Sequence, residues 1–309
     1  MMRLSTAWHW SRLARAAATG VALAALLPAA AASGAEGSVE RGRYLVNTIL
    51  ACGNCHTPKA ADGRPLAGRE LSGGGLSFEM PFYSGTASNI TPDRETGIGN
   101  WSDDEIKRAV TQGARPNHGR LAGMPLALMM WVNFYKALTP SDLDAVIAYL
   151  RSIPPVRNAV PLPTYQRQVP RDPYPDAENG FTEADMKDPV RRGAYLTTIG
   201  HCMECHTPAK DGRTLYEQAL GQGGKRYAPQ MVKGYPADWP GSVARNITSH
   251  PEAGLGRWTD QEIKRAITQG VSRDGRALQP PMGFHWYAGL SAQDLDAIVA
   301  WLRTVPTRE

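Results

Sequence analysis

The chain has 309 residues, 42% of them hydrophobic and 20% charged, with 34 Lys and Arg against 29 Asp and Glu. Three of the basic residues, Arg3, Arg12 and Arg15, precede an uncharged Ala- and Leu-rich run. The remainder, 31 against 29, is close to neutral and offers no nucleic-acid surface. Leu, Ile, Trp and Tyr recur throughout, which excludes a disordered chain, and no later apolar run is long enough to span a bilayer.

In chain order, residues 1–35 read as a signal peptide. A basic start is followed by the apolar stretch Ala16 to Pro28 and by small-residue cleavage patterns at Ala30–Ala32 or Ser33–Ala35. The alternative, a retained anchor, is disfavoured by the shortness of the run and by Gly20 and Pro28. The mature chain is expected to start near Ser33 or Glu36, in the periplasm. Arg41-Gly42-Arg43-Tyr44-Leu45 then opens a short helix that ends at Cys52-Gly53-Asn54-Cys55-His56.

C-x-x-C-H is the attachment signature of haem c, and it recurs at Cys202-Met203-Glu204-Cys205-His206. Two thiols bond the two vinyl groups of one porphyrin, and the adjacent imidazole binds the iron from one side. The four cysteines of the chain all fall in these motifs. A structural zinc site would lack a fourth ligand in each copy. A thioredoxin-like pair does not call for the following His, and two plain disulfides leave both histidines unexplained. The expected cofactors are therefore two covalently bound haem c, held by Cys52, Cys55, Cys202 and Cys205, with His56 and His206 on the irons.

The rest of the chain repeats in the same order. Arg41–Leu45 answers to Arg192–Leu196, Asn89–Thr91 to Asn246–Thr248, Gly97–Trp101 to Gly254–Trp258, Glu105–Ala109 to Glu262–Ala266, and Asp142–Ala145 to Asp294–Ala297. Ser102 with Glu105, and Thr259 with Glu262, have capping-box spacing. Trp101 with Ile106 and Trp258 with Ile263 have hydrophobic-staple spacing, preferred here to an electron-relay role for these tryptophans. The last helix of each module starts at Thr139-Pro140 or Ser291-Ala292. Gly42 and Gly193 allow the first and last helices of each module to cross closely, with Tyr149 or Trp301 on the other side. Between the modules, seven prolines from Pro154 to Pro175 mark a linker that wraps or spaces the lobes.

The sixth ligand of each iron is expected to be Met, the usual partner of His in electron carriers. Met282, in Pro280-Pro281-Met282-Gly283, is the candidate in the second module. In the first, Met130 keeps the same steps to Phe134-Tyr135 and Leu138 that Met282 keeps to Trp286-Tyr287 and Leu290. Met129 misses by one. Met124 fits only if the register is set from Gly119-Arg120, and His118 would give a bis-imidazole iron.

Weaker features are open to two readings. Asn89-Ile90-Thr91 and Asn246-Ile247-Thr248 read as glycosylation sequons or as loop hydrogen-bonders near the haem edge. Gly73–Gly75 and Gly221–Gly224 lack the P-loop ending and are expected to let backbone pass close to the porphyrin. The second module has the longer loop before its Asn-Ile-Thr, with Tyr227, Met231, Tyr235 and Trp239. It either covers its own haem or the other lobe, or docks a partner enzyme.

The stretches Asn89–Asp93 with Gly97–Trp101, and Asn246–Thr248 with Gly254–Trp258, resemble the cytochrome c subunits of bacterial membrane-associated dehydrogenases that oxidise alcohols, sugar acids, aldehydes or N-heterocycles. The resemblance covers nearly the whole mature chain. It implies an all-α fold of two tandem cytochrome c modules joined by the Pro-rich linker, at residues 36–153, 154–188 and 189–309. It also implies His/Met ligation and electron transfer without substrate chemistry. The implied donor is a dehydrogenase catalytic subunit, and the implied acceptor a cytochrome, quinone or terminal oxidase, with membrane association through a partner. Many of that group carry three modules and a C-terminal anchor, whereas two modules are read here. The alternative is a dihaem peroxidase or thiosulfate-oxidising enzyme with one displaceable axial ligand.

Overall fold

The computed structural model describes residues 27–309. Most of the expected signal peptide lies outside the described residues. The first module runs through helices α1 (Leu27–Asn47), α2 (Cys52–His56), α3 (Asp103–Gln112), α4 (Val132–Tyr135) and α5 (Pro140–Ser152), with strands β1 (Ser77–Met80) and β2 (Tyr83–Thr86) between α2 and α3. The linker contributes β3 (Thr164–Tyr165), α6 (Pro175–Asn179) and one 3-10 turn. The second module repeats the plan with α7 (Pro189–Ile199), α8 (Cys202–His206), α9 (Tyr216–Ala219), α10 (Asp260–Gln269), α11 (Phe284–Tyr287) and α12 (Ala292–Leu302). Its strands are β4 (Ala209–Lys210), β5 (Arg213–Thr214), β6 (Arg226–Tyr227), β7 (Val232–Lys233) and β8 (Ser242–Val243).

The expected all-α class is thus incomplete. Helices form the frame, but short strands stitch the modules together. The sheet order β3-β2-β1-β7 draws one pair from the first module, one strand from the linker and one from the second module.

Local signals act as their chemistry requires. Both capping boxes are made: the Ser102 and Thr259 hydroxyls accept from the N–H groups of Glu105 and Glu262, whose carboxylates accept in return from the cap N–H groups. Trp101 and Trp258 pack on the core beside buried Ile106 and Ile263, as a staple does. Arg151 and Arg303 then tie the carbonyls of Ile98 and Trp101, and of Leu255 and Trp258, to the last helices.

Helix crossing depends on glycine. A Cβ at Gly42 would lie 1.8 Å from the Ala145 carbonyl oxygen, and one at Gly193 2.0 Å from that of Ala297. Tyr149 and Trp301 flank these crossings, so α1 meets α5 and α7 meets α12 at one backbone-to-backbone distance.

The two modules share one core, and two buried carboxylates bind them reciprocally. Asp142, at the start of α5, accepts from Arg41 Nε at 2.7 Å in its own module and from Tyr195 Oη at 2.6 Å in the other. Asp294, at the start of α12, accepts from Arg192 Nε at 2.6 Å and from the Tyr44 hydroxyl of the first module. Both carboxylates lie in the first turn of their helices, where the macrodipole favours negative charge.

The linker wraps rather than spaces. Tyr174 stacks on Phe134 at 4.9 Å and meets Tyr216 edge-on at 5.1 Å, filling the seam between the modules.

Two outcomes follow. Gly42→Ala and Gly193→Ala should each lower stability by about 1–3 kcal/mol in chemical denaturation, because the added carbon overpacks a backbone crossing, while Gly37→Ala, in open space on the same helix as Gly42, should cost nothing. Tyr44→Phe and Tyr195→Phe should each cost about 1.5–3 kcal/mol, the range for a hydrogen bond to a charged group, and Tyr149→Phe, whose hydroxyl meets only a neutral amide, should cost less.

Candidate haem-binding site

Each C-x-x-C-H motif forms one short helical turn entered through a left-handed residue, Ala51 or His201, both at φ 45°. The turn puts both thiols and the imidazole at the edge of the shared core. The His56 Nδ1 lies 2.6 Å from the Ser88 carbonyl oxygen, and the His206 Nδ1 2.7 Å from that of Arg245. Donation to these carbonyls fixes the tautomer and leaves Nε2 free for a metal, the arrangement that orients a ligating histidine. Burial pulls both imidazoles below their ordinary pKa, so both are held neutral, the form that can bind a metal.

The thiols do not look like thiolate chemistry. Burial pushes Cys52 and Cys202 up to about 12 and Cys205 to about 11. A redox-active cysteine needs the opposite shift. Among the described residues no group of three or more His, Cys, Asp and Glu side chains converges on a metal position, so the two copies do not combine into a zinc site.

Backbone loops grip the motif from behind. The N–H groups of Gly73 and Gly223 donate to the His56 and His206 carbonyls, each at 2.7 Å. A Cβ on Gly73 would lie 2.6 Å from the Asn89 nitrogen. The glycine runs therefore serve close passage beside the haem motif and the Asn-Ile-Thr loop. Asn89 is 3% exposed, which removes it as a glycosylation acceptor. Its amide donates to the Val156 carbonyl at 2.7 Å while its oxygen accepts from Thr91. Asn246 does the same to Arg308, at 2.7 Å. These side chains lock the segment after each last helix over the loop that holds the histidine.

Met130 and Met282 occupy matching positions. Each directly precedes the N-cap of the short helix α4 or α11, and the caps, Trp131 and Gly283, have similar backbone angles. Both methionines pack on the common core. His118 instead turns outward, its Nε2 3.0 Å from Glu105, with its side chain 49% exposed.

Both methionine loops are held from outside their own module. Arg171 of the linker donates to the carbonyls of Leu126 at 3.0 Å and Ala127 at 2.7 Å, and Tyr165 donates to that of Pro125 at 2.7 Å. In the second module, Asn54 of the first haem motif donates to the Pro281 carbonyl at 3.0 Å.

The longer loop of the second module crosses to the first lobe. Val232 and Trp239 bury against Leu76, and Cys55, Tyr227, Met231 and Tyr235 pack around them. Of the two readings of this loop, the structure follows the one that packs it on the other lobe. The Tyr235 hydroxyl and the Trp239 indole N–H are buried there without a partner. Donors of this kind beside Cys55 fit a bound group that carries acceptors, as a haem with its propionates does.

Sequence reading missed the seam residues. A Cβ on Gly53 would strike the Trp286 ring of the second module at 2.1 Å. The positions that answer to this pair, Met203 and Phe134, are both fully buried. Tyr135 and Tyr287 are buried in this core, and burial raises both phenols well above their ordinary value. His201 packs against Trp131 and Tyr135 at 5.7 and 6.1 Å, and burial holds it at about 4, hence neutral. The change from glycine at 53 to methionine at 203 is visible in an alignment of the repeats. Nothing in the sequence signals that Tyr135 packs against His201 of the other module.

Two lobes of short helices, each closing on a C-x-x-C-H turn with a histidine prepared for metal, define a tandem c-type haem protein. The cytochrome c family model matches residues 39–154 and 190–306, and the chain belongs to that family. It is 31% identical over 284 residues to a gluconate 2-dehydrogenase cytochrome c subunit from Pantoea cypripedii, covering 88% of this chain and 60% of the relative. It is 28% identical to a fructose dehydrogenase cytochrome subunit from Gluconobacter japonicus, covering 90% and 54%. It is 25% identical to a diheme cytochrome c-type protein from Cereibacter sphaeroides, covering 90% and 89%. The chain thus spans little more than half the length of the two dehydrogenase subunits. Its cofactors are two covalently bound haem c groups.

Replacing Cys202 and Cys205 together by Ser should lower the mass of the denatured holoprotein by one haem and leave one haem-stained band on a denaturing gel.

Proposed function

We propose that this chain is a periplasmic dihaem carrier that takes electrons from a dehydrogenase catalytic subunit and passes them towards the respiratory chain. A cytochrome, a quinone or a terminal oxidase would receive them, and membrane association would come through a partner. The observation that carries the reading is the seam. Both haem motifs face one shared core: Asn54 of the first donates to the Pro281 carbonyl of the second module, and Gly53 lies against the Trp286 ring. The names of the relatives support the donor, and the signal-peptide pattern supports the compartment.

Bound haem supplies an iron that accepts and releases one electron. The protein's share is placement, exclusion of water and control of potential. Cys52 and Cys55 would hold the first group, with His56 and Met130 the residues to bind its iron, and Cys202 and Cys205 would hold the second, with His206 and Met282. The carbonyls of Ser88 and Arg245 keep the two imidazoles in one orientation. Arg171 and Tyr165 brace the Met130 loop, and Asn54 braces the Met282 loop. A braced loop favours a ligand that stays bound, which suits a carrier better than an enzyme with an exchangeable position. Among the described residues no helix is long and apolar enough to cross a membrane.

The ligand assignment is checked by near-infrared absorption. Met130→Ala should abolish about half of the sulfur-to-iron charge-transfer band, while Met124→Ala and Met129→Ala leave it whole. The function is checked by tagging the full chain in its native host. It should co-purify with a dehydrogenase, and its haems should be reduced when that enzyme's substrate is added. Recovery as a free protein that no dehydrogenase in the extract reduces would overturn the reading.

A further inference from the structure

Two lysines from unrelated places in the repeat converge on the same atom of each haem motif. The Lys59 ammonium donates to the carbonyl of Asn54, the residue before the second cysteine of the first motif, and to Gly75 O at 3.3 Å. The Lys225 ammonium donates to the matching carbonyl of Glu204 at 2.6 Å. Lys59 stands three residues after His56, whereas Lys225 comes from the loop after Gly224. A positive charge has been placed twice at one point by different routes.

The two charges differ in their surroundings. Lys225 also forms an ion pair with the Glu204 carboxylate at 2.7 Å, and Tyr216 donates to the other oxygen at 2.5 Å. The pair is 20% and 13% exposed, and its charges cancel. The counterpart of Glu204 in the first motif is Asn54, which carries no charge. Among the described residues no carboxylate pairs with Lys59. Its ammonium lies 5.5 Å from the centre of the Tyr235 ring, supplied by the second module, whose face attracts a cation. Desolvation brings Lys59 down to about 8, so it remains mostly charged at neutral pH in a poorly solvated place.

We propose that the unpaired Lys59 ammonium makes the first haem the higher-potential centre of the two, because the matching charge at the second haem is cancelled by Glu204. A fixed positive charge in a water-poor site disfavours the extra positive charge of ferric iron and favours the ferrous state. A neutral ion pair has much less effect. Electrons reaching the second haem would then run downhill to the first. Lys59 acts through the field, so it is a tuning residue and touches no reacting atom.

The inference rests on each motif holding one redox-active haem. Its test is an optical redox titration of the full-length holoprotein. The wild type should show two couples. Lys59→Met should lower the higher couple and leave the lower one in place, and Lys59→Arg, which keeps the charge, should preserve the wild-type gap. Glu204→Gln, which uncovers Lys225, should raise the lower couple and leave the higher one. Both Lys59→Met and Glu204→Gln thus narrow the gap. An unchanged absorption spectrum and thermal midpoint show that a variant is folded and loaded. The inference is overturned if Lys59→Met moves neither couple, moves both together or lowers the lower one. A wild type whose two haems titrate at one potential overturns it as well, whereas a haem count below two per chain would overturn the dihaem reading on which it rests.

Discussion

Two buried carboxylates set the geometry on which everything else depends. Asp142 and Asp294 each accept from an arginine of their own module and a tyrosine of the other. A carboxylate taken out of water is costly unless its oxygens are fully bonded. Each Asp is therefore satisfied only when both modules are in place. The helix starts hold the carboxylates, the carboxylates hold the tyrosines, and the lobes have one relative position. Separation of the two haem motifs is a consequence of that lock.

The modules are repeats, but neither haem site is complete within its own repeat. The Met130 loop is pinned by linker residues Arg171 and Tyr165, and the Met282 loop by Asn54 of the first motif. The wall beside Cys55 is built from Val232, Tyr235 and Trp239 of the second module. Strand β7 reaches that wall by pairing with β1. Duplication supplied two equivalent frames, and later divergence made each depend on the other. This dependence suits a relay, since a mobile linker would let the spacing between centres vary.

Divergence also shows where the frame tolerates change. Gly53 leaves the room that the Trp286 ring fills, whereas the matching Met203 and Phe134 are each fully buried side chains. The carbonyl before the second cysteine keeps a lysine partner in both modules, although the lysine comes from a different segment each time. What survives is the contact, whereas the residue that makes it can move along the chain.

Much of this was legible in the sequence because it is written in short, local signals. The C-x-x-C-H turns, the two capping boxes, the tryptophan staples and the glycines at the helix crossings each need only neighbours within a few residues or a size constraint at one position. The step count from Met130 to Phe134 and Leu138 also carried through, because α4 and α11 start at the same register. The seam was not legible. Tyr44 meets Asp294 across 250 residues, Asn54 meets Pro281 across 227, and β7 pairs with a strand of the other module. No periodicity records such contacts, since they arise only when two surfaces with their own folds are brought together. The sequence alone determined that there are two haem motifs and where they lie in the repeat. The tertiary structure decided that the two sites form one body, because only packing between the modules satisfies the buried carboxylates and covers the exposed aromatic faces.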